Sequence, residues 1–268
     1  MTAAALHHDL QRLTIALQQS ERLPTGELEQ LQSAALADLM AHHIRHTPSF
    51  AARMRRASLK PADVNAVAAL PRLPPLTRRD IQNLGSSFFS RHVPAQHEPA
   101  GMVSTSGSTG EPVKVRKSAT CRLYWAANTA RDHRWNGRDV TGRLVSIRPS
   151  IESRVQSDWG FPMAALGRTG PALGLPTAMD LTEHVRQIDE FRPHTLLVFP
   201  NLLGGLLDEW ERRGSRPPDL LHLKTIGETV RDALRERARR ICGLAIEDSY
   251  SSQECGIIAV QCPAGGLY

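Results

Sequence analysis

The stretch "TLLVFPNLLGGLLDEWERR" at residues 195–213 sets the fold. "TLLVF" (195–199) is an apolar run of strand length, and "NLLGGLLDEWERR" (201–213) carries its leucines and charges in helical rhythm. The same alternation continues on both sides. "RLVSI" (143–147), "LKTI" (223–226) and "AIEDSY" (245–250) read as strands; "LTEHVRQIDEF" (181–191) and "VRDALRERARRI" (230–241) read as helices. In the last helix Val230, Leu234, Ala238 and Ile241 share a face. Strands alternating with helices predict an α/β fold of largely parallel β-sheet layered with α-helices. Such sheets bind ligands on the loops beyond the carboxyl ends of the strands.

Upstream the texture differs. Residues 5–46 read as one helical stretch ended by Pro48, with Leu28, Leu31, Ala35 and Leu39 on the core face, flanked by Leu36, Met40 and Ile44. A proline-punctuated linker, "LPRLPPL" (70–76), leads into Thr77-Arg78-Arg79-Asp80, a Thr-x-x-Asp start signal for a short helix. The expected division is therefore a helical segment and linker over 1–99 and an α/β region over 100–268.

The chain has 268 residues, 41% hydrophobic and 22% charged, which suits a globular protein with a substantial apolar core. No apolar run approaches membrane-spanning length, and the first two dozen residues carry His, Asp, Gln and Arg where a signal peptide needs an apolar core, so a cytoplasmic protein is expected. The four cysteines form no CxxC pair and read as reduced thiols. The net charge of +6 suits anionic partners such as nucleotides. With 5% aromatic residues and no basic stripe interleaved with aromatics, nucleic acid is not expected as a partner.

A second signal is "VSTSGSTGEPVKV" at 103–115. From Ser104 to Gly110 every residue is Ser, Thr or Gly, and Pro112 then leads into alternating "VKVRK". No Walker loop fits, and the period of two predicts a strand after the loop, so the run reads as a glycine-hinged hairpin tip. Ser104, Thr105, Ser106, Ser108 and Thr109 offer hydroxyls, while Gly107 and Gly110 let the backbone come close to a ligand. Consecutive N–H groups in such a turn can grip an anion. Taken alone, the run reads first as a flexible polar turn and only second as an anion grip.

Two further motifs decide between these. "TIGETVRDALRERARR" (225–240) passes from strand to helix through Gly227-Glu228-Thr229, and "EDSYSSQECG" (247–256) sets Tyr250 and Glu254 four residues apart after another strand. In order and spacing, "STSGSTGEP", "IGET" and "DSYSSQECG" resemble the adenylate-forming acyl-CoA ligase superfamily, and most closely its phenylacetate–CoA ligase branch. "LPPLTRRDIQ" (73–82) and "CPAGGLY" (262–268) also look like that branch. The resemblance spans about residues 28–268.

It implies ATP-dependent activation of a small carboxylic acid to an acyl-adenylate, then transfer to the thiol of CoA. Transfer to a carrier-protein thiol or an amine, or a non-catalytic relative that binds nucleotide or a protein partner, are the alternatives. By the same resemblance Ser104, Thr105, Ser106, Gly107, Ser108, Thr109 and Gly110 would hold phosphates. Gly227, Glu228 and Thr229 would line one side of the adenine, and Asp248, Ser249, Tyr250 and Ser251 the other. Thr109 and Glu254 would be the catalytic pair, with Glu254 on Mg2+, a cation that prefers oxygen ligands. Ser251 stands where the family usually has glycine and Gln253 where Thr, Ser or Arg is common, which puts the acyl specificity in question. The barrel-like subdomain and mobile C-terminal domain of such ligases, with an acid for the ribose and a lysine for the adenylate, have no counterpart before Tyr268. Weak nucleotide affinity and little turnover are expected of this chain alone.

Other patterns carry less. His42, His43 and His46 in "HHIRH" do not make an HExxH motif and read as a solvated helix face. Cys242, Cys255 and Cys262 could bind zinc with a fourth ligand, but Tyr268 stands where relatives often carry histidine, so reduced thiols are the expected reading. Tyr124, Trp125, Trp135, Trp159 and Phe161 read mostly as core, with one or two lining an acyl pocket suited to an aromatic acid.

Overall fold

The computed structural model describes residues 3–104 and 112–264. The chain forms two compact units: one gathers the chain up to Ile15 and from Leu123 on, and the other is Ala16–Arg122. The expected division near residue 99 therefore moves to 122/123. The reason is local. A hairpin of β1 (Gly101–Ser104) and β2 (Lys114–Lys117) belongs to the smaller unit, where Arg116 donates to the Ser90 carbonyl at 2.8 Å and lies over the Phe89 ring.

The N-terminal helical stretch is three helices: α1 (Ala3–Ser20), α2 (Thr25–His46) and α3 (Pro48–Arg56). Pro24 interrupts the first pair, because a proline disfavours helical backbone in the residue before it. The helix before Pro48 ends as expected, at His46 with Thr47 in extended backbone, and Pro48 then starts α3, where at the first helical position its missing N–H is no loss. The buried side of α2 is the flank, not the expected stripe. Met40 joins Met54 and Val64 in a small core with Leu36, Ile44, Phe50, Leu59 and Leu73 packed against it, while Leu31 and Leu39 are about half exposed. The helix α4 (Arg78–Leu84) starts as its sequence predicts: the Thr77 hydroxyl accepts from Asp80 N–H at 3.1 Å, and the Asp80 carboxylate accepts from Thr77 N–H at 2.8 Å.

The larger unit holds α5 (Ala119–Trp135, entering it at Leu123), β3 (Leu144–Arg148), β4 (Arg154–Gln156), β5 (Ala172–Pro176), α6 (Leu181–Phe191), β6 (Thr195–Val198), α7 (Pro200–Arg213), β7 (His222–Ile226), α8 (Asp232–Cys242), β8 (Ile246–Ser252) and β9 (Gly256–Val260). Seven strands form one sheet in the order β4-β5-β3-β6-β7-β8-β9. The five central strands are parallel, and β4 and β9 close the edges antiparallel. The largely parallel α/β sheet expected from the sequence is what forms.

The main core fills one face of this sheet. Val145, Ile147, Leu173, Leu175, Leu196, Val198, Leu223 and Ile246 meet Val185 and Ile188 of α6, Leu203, Leu206, Leu207 and Trp210 of α7, and Ala238 of α8. Each such fully buried side chain contributes about 1.5–3 kcal/mol. Caps fix where these helices begin and stop. Asp180 accepts from Thr182 N–H at 2.8 Å at the start of α6, and Gly214 and Gly243 take left-handed backbone at the ends of α7 and α8. The helix α5 lies over the opposite face. Its inward residues mix Ala126, Ala127 and Ala130 with Asp132 and His133, so no apolar periodicity announces it in the sequence.

Candidate active site

Of the sequence-predicted residues, those at 227–229 and 248–254 lie at or near the carboxyl ends of two neighbouring strands, β7 and β8. After β7 the chain turns through Gly227, Glu228 and Thr229, all exposed. Gly227 has φ 77°, and a Cβ there would lie 2.8 Å from a Phe199 ring carbon, so both the backbone angle and the close approach require glycine. Glu228 turns aside: its carboxylate accepts from Asn201 N–H at 2.9 Å and caps α7. The Glu228 side chain is thus engaged with α7, while the turn itself stays exposed.

The strand β8 runs parallel beside β7, with Asp248 opposite Thr225 and Ser249 opposite Ile226. Its side chains alternate between faces, which separates the expected adenine wall. Asp248 is buried on the face shared with the main core and accepts from the Thr225 hydroxyl at 2.7 Å, so its carboxylate is engaged inside the sheet. Ser249 is buried on the other face. Beyond a β-bulge at Tyr250/Ser251 the pairing shifts, which lifts the strand end out of the core. Tyr250 is 56% exposed there and Ser251 half-buried. Glu254 lies on the turn into β9, exposed, and no described residue pairs with its carboxylate. One free carboxylate suits a magnesium ion that takes its remaining oxygens from phosphate and water. Among the described residues no group of three His, Cys, Asp or Glu is placed to hold a metal.

In the smaller unit Ser104 closes β1 opposite Lys114, both exposed, so the expected hairpin is formed. Thr105, Ser106, Gly107, Ser108, Thr109 and Gly110 lie outside the described residues. Cys242 is buried in the α8 core, where burial pushes its thiol up to about 11, and Cys255 and Cys262 are exposed.

A phenylacetate–coenzyme A ligase of Thermus thermophilus is 26% identical over 242 residues, covering 87% of the chain, and one of Pseudomonas putida is 27% identical over 259 residues, covering 93%. The chain is a relative of the phenylacetate–coenzyme A ligases. It spans about half the length of the curated relatives it matches, 52% and 56% of these two. No family model matches it. The fold is that of a CoA ligase crystal structure, an open conformation of 2-hydroxyisobutyryl-CoA ligase in complex with 2-HIB-AMP and CoA. The two superpose with TM-score 0.66 at 15% identity over 90% of this chain and 57% of that one.

Beneath the ligase-like motifs lies a feature the sequence reading missed. Lys224 Nζ, on β7, donates to Ser249 Oγ at 2.7 Å and to the Asp132 carboxylate of α5. Arg138 Nη1 donates to Asp132 at 2.7 Å and its Nε to Glu247 at 2.6 Å, and Glu247 also meets His222 Nδ1 at 2.8 Å. Asp132, Arg138 and Lys224 are at most 7% exposed. Burial pushes the Asp132 carboxyl up, but Lys224 and Arg138 override it and hold the group below the usual carboxylate range. Burial, with Arg138 beside it, drops His133 to about 3, so its ring stays neutral while Arg138 Nη1 meets its Nδ1 at 3.2 Å. This network ties α5 to both site strands and ends on Ser249. Its signal in the sequence was a lysine inside an apolar strand, "LKTI", since a buried charge requires a partner.

The aromatic residues also differ from expectation. Tyr124, Trp125 and Phe161 are exposed, at 49%, 38% and 45%, and Trp135 and Trp159 are half-buried. The Trp125 and Phe161 rings lie 6.0 Å apart, and Trp125 packs against the Gly256 backbone, two residues past Glu254. The histidines of α2 are half-buried rather than solvated: the His42 ring lies 4.9 Å from His46 and its Nε2 meets Ser90 Oγ at 3.0 Å.

Proposed function

We propose that this chain supplies the nucleotide- and acid-binding part of an ATP-dependent, AMP-forming carboxylate–CoA ligase. The observation that carries this reading is the pair of exposed turns at the carboxyl ends of β7 and β8. One holds Gly227 at its left-handed angle, and the other presents Tyr250 and Glu254, which is unpaired among the described residues. The backbone at 227–229 would face one side of the adenine and Tyr250 with Ser251 the other, with Ser249 set behind them. Residues 104–110 would hold the phosphates, with Thr109 among them, and Glu254 would hold Mg2+.

An oxygen of the acid attacks the α-phosphorus of ATP, and the bond to pyrophosphate breaks. The thiol of CoA then attacks the acyl carbonyl, and AMP leaves. Negative charge grows on phosphate oxygens in the first step, so the chain's part is positioning and charge neutralisation. The exposed Trp125 and Phe161 beside Gly256 suit the body of an aromatic acid. With ATP and CoA as cosubstrates, the setting is the cytoplasm. Among the described residues no helix is long and apolar enough to cross a membrane.

ATP–pyrophosphate exchange with a panel of aryl and aliphatic acids tests the first half-reaction. Exchange dependent on one acid is expected. Exchange with none, by this chain and by any longer form of it, would overturn the adenylating function.

A further inference from the structure

Arg148 ends β3, and the sheet order gives that position a meaning. The chain leaves β3 toward β5 on one side and leaves β6 toward β7 on the other, so β3 and β6 flank the topological switch point. Open parallel sheets take ligands at the carboxyl ends of such strands. The Arg148 guanidinium is half-buried there. Its Nε donates to Ser146 Oγ at 3.2 Å, and no carboxylate among the described residues lies within 4.0 Å of it. Burial alone lowers its pKa, and no charged neighbour opposes it. The buried Arg138 of the same unit, by contrast, is matched to acids. The turn that follows is strained: Ser150 takes φ 57°, left-handed backbone that disfavours a non-glycine residue.

The face that carries Ser146 and Arg148 also carries Leu144, Ala172 and Leu197, with Trp159 and Ile226 packed on them. The half-buried Trp159 and Ile226 on the same face as an unmatched guanidinium suit a ligand with an apolar body and an anionic end. We propose that Arg148 seats an oxyanion at the switch point, the carboxylate of an amphipathic acid. The oxyanion seat stands on this geometry, and its assignment to the acid to be activated rests on the ligase reading above. A phosphate oxygen of the nucleotide presents the same chemistry, and the test separates the two.

Thermal melting of the full chain at fixed ionic strength reads the seat directly. The ligands are phenylacetate with other aryl and aliphatic monocarboxylates, the uncharged phenylacetamide, AMP and inorganic pyrophosphate. At least one anion raises the melting temperature of the unsubstituted chain, and phenylacetamide does not. Protection by a carboxylate identifies the acid as source; protection by AMP or pyrophosphate alone identifies the nucleotide. In Arg148→Met the apparent affinity for the protecting anion falls at least about 30-fold. Arg148→Lys, which keeps the charge without the planar fork, retains part of it. The unliganded Arg148→Met chain melts about 2–4 °C higher, because an uncompensated inward charge is gone. Equal protection of the unsubstituted chain and Arg148→Met, or protection of neither by any of these anions, overturns the seat. Anion protection dependent on Arg148, with no ATP–pyrophosphate exchange by this chain or by any longer form of it, leaves the seat standing and removes the ligase reading.

Discussion

Acidification between pH 7.5 and 5 tests the buried network through His133. The ring is 8% exposed, packs edge-on against Trp159 at 5.3 Å, and takes the Arg138 N–H at 3.2 Å, a donor it meets only while neutral. Folding lowers its pKa from 6.5 to about 3. Between those values the unfolded chain binds the proton and the folded chain does not, so stability rises with pH and is lost as pH falls below 6.5. At about 1.4 kcal/mol per unit, the loss at pH 5 relative to pH 7.5 is about 2 kcal/mol from this ring alone. His42, His43 and His184, whose pKa values burial also lowers, add in the same direction, so a variant must isolate His133. His133→Gln keeps an acceptor for Arg138 and cannot charge. All four tryptophans, Trp125, Trp135, Trp159 and Trp210, belong to the larger unit, so their fluorescence in urea reports that unit. The expected result is a pH-dependent loss about 2 kcal/mol smaller in His133→Gln than in the unsubstituted chain. Parallel pH profiles for the two chains would refute a neutral buried His133.

Three substitutions extend the test. Lys224→Met leaves Asp132 with Arg138 as its remaining cation and Ser249 Oγ without its donor; tryptophan-detected urea unfolding should show a loss of about 3–5 kcal/mol. Gly227→Ala forces a side chain into left-handed backbone against Phe199. It should cost about 1–3 kcal/mol in the same assay and weaken AMP binding measured by calorimetry. Thr77→Ala removes the α4 cap in the smaller unit, where no tryptophan reports; melting followed by far-UV circular dichroism should show a loss of about 0.5–2 kcal/mol.

The parts of this molecule legible in its sequence are those with one dominant periodicity. The run at 195–213 folds as a strand and helix because one face of each meets the same core, and Thr77 with Asp80 caps a helix through contacts three residues apart. The helix α5 and the network beneath β7 were hidden because their inward residues are polar and their partners lie far along the chain; Lys224 and Asp132 are 92 residues apart. The buried face of α2 is not legible in the sequence because Leu31 and Leu39 are apolar yet exposed, and hydrophobicity alone does not say which of two adjacent stripes meets a neighbour. At the site, strand alternation sends Asp248 and Ser249 to opposite faces, and Glu228 serves a helix end, a division of labour that motif spacing does not encode.

Calorimetric titration of ATP into this chain and into Glu254→Gln, each with and without Mg2+, tests most directly whether the turn after β8 anchors the nucleotide's metal. Glu254 is exposed and unpaired among described residues, so its substitution leaves folding unchanged. Mg2+ should tighten ATP binding to the unsubstituted chain, and Glu254→Gln should lose that gain while binding ATP alone as before. An equal effect of Mg2+ on both chains would contradict the account.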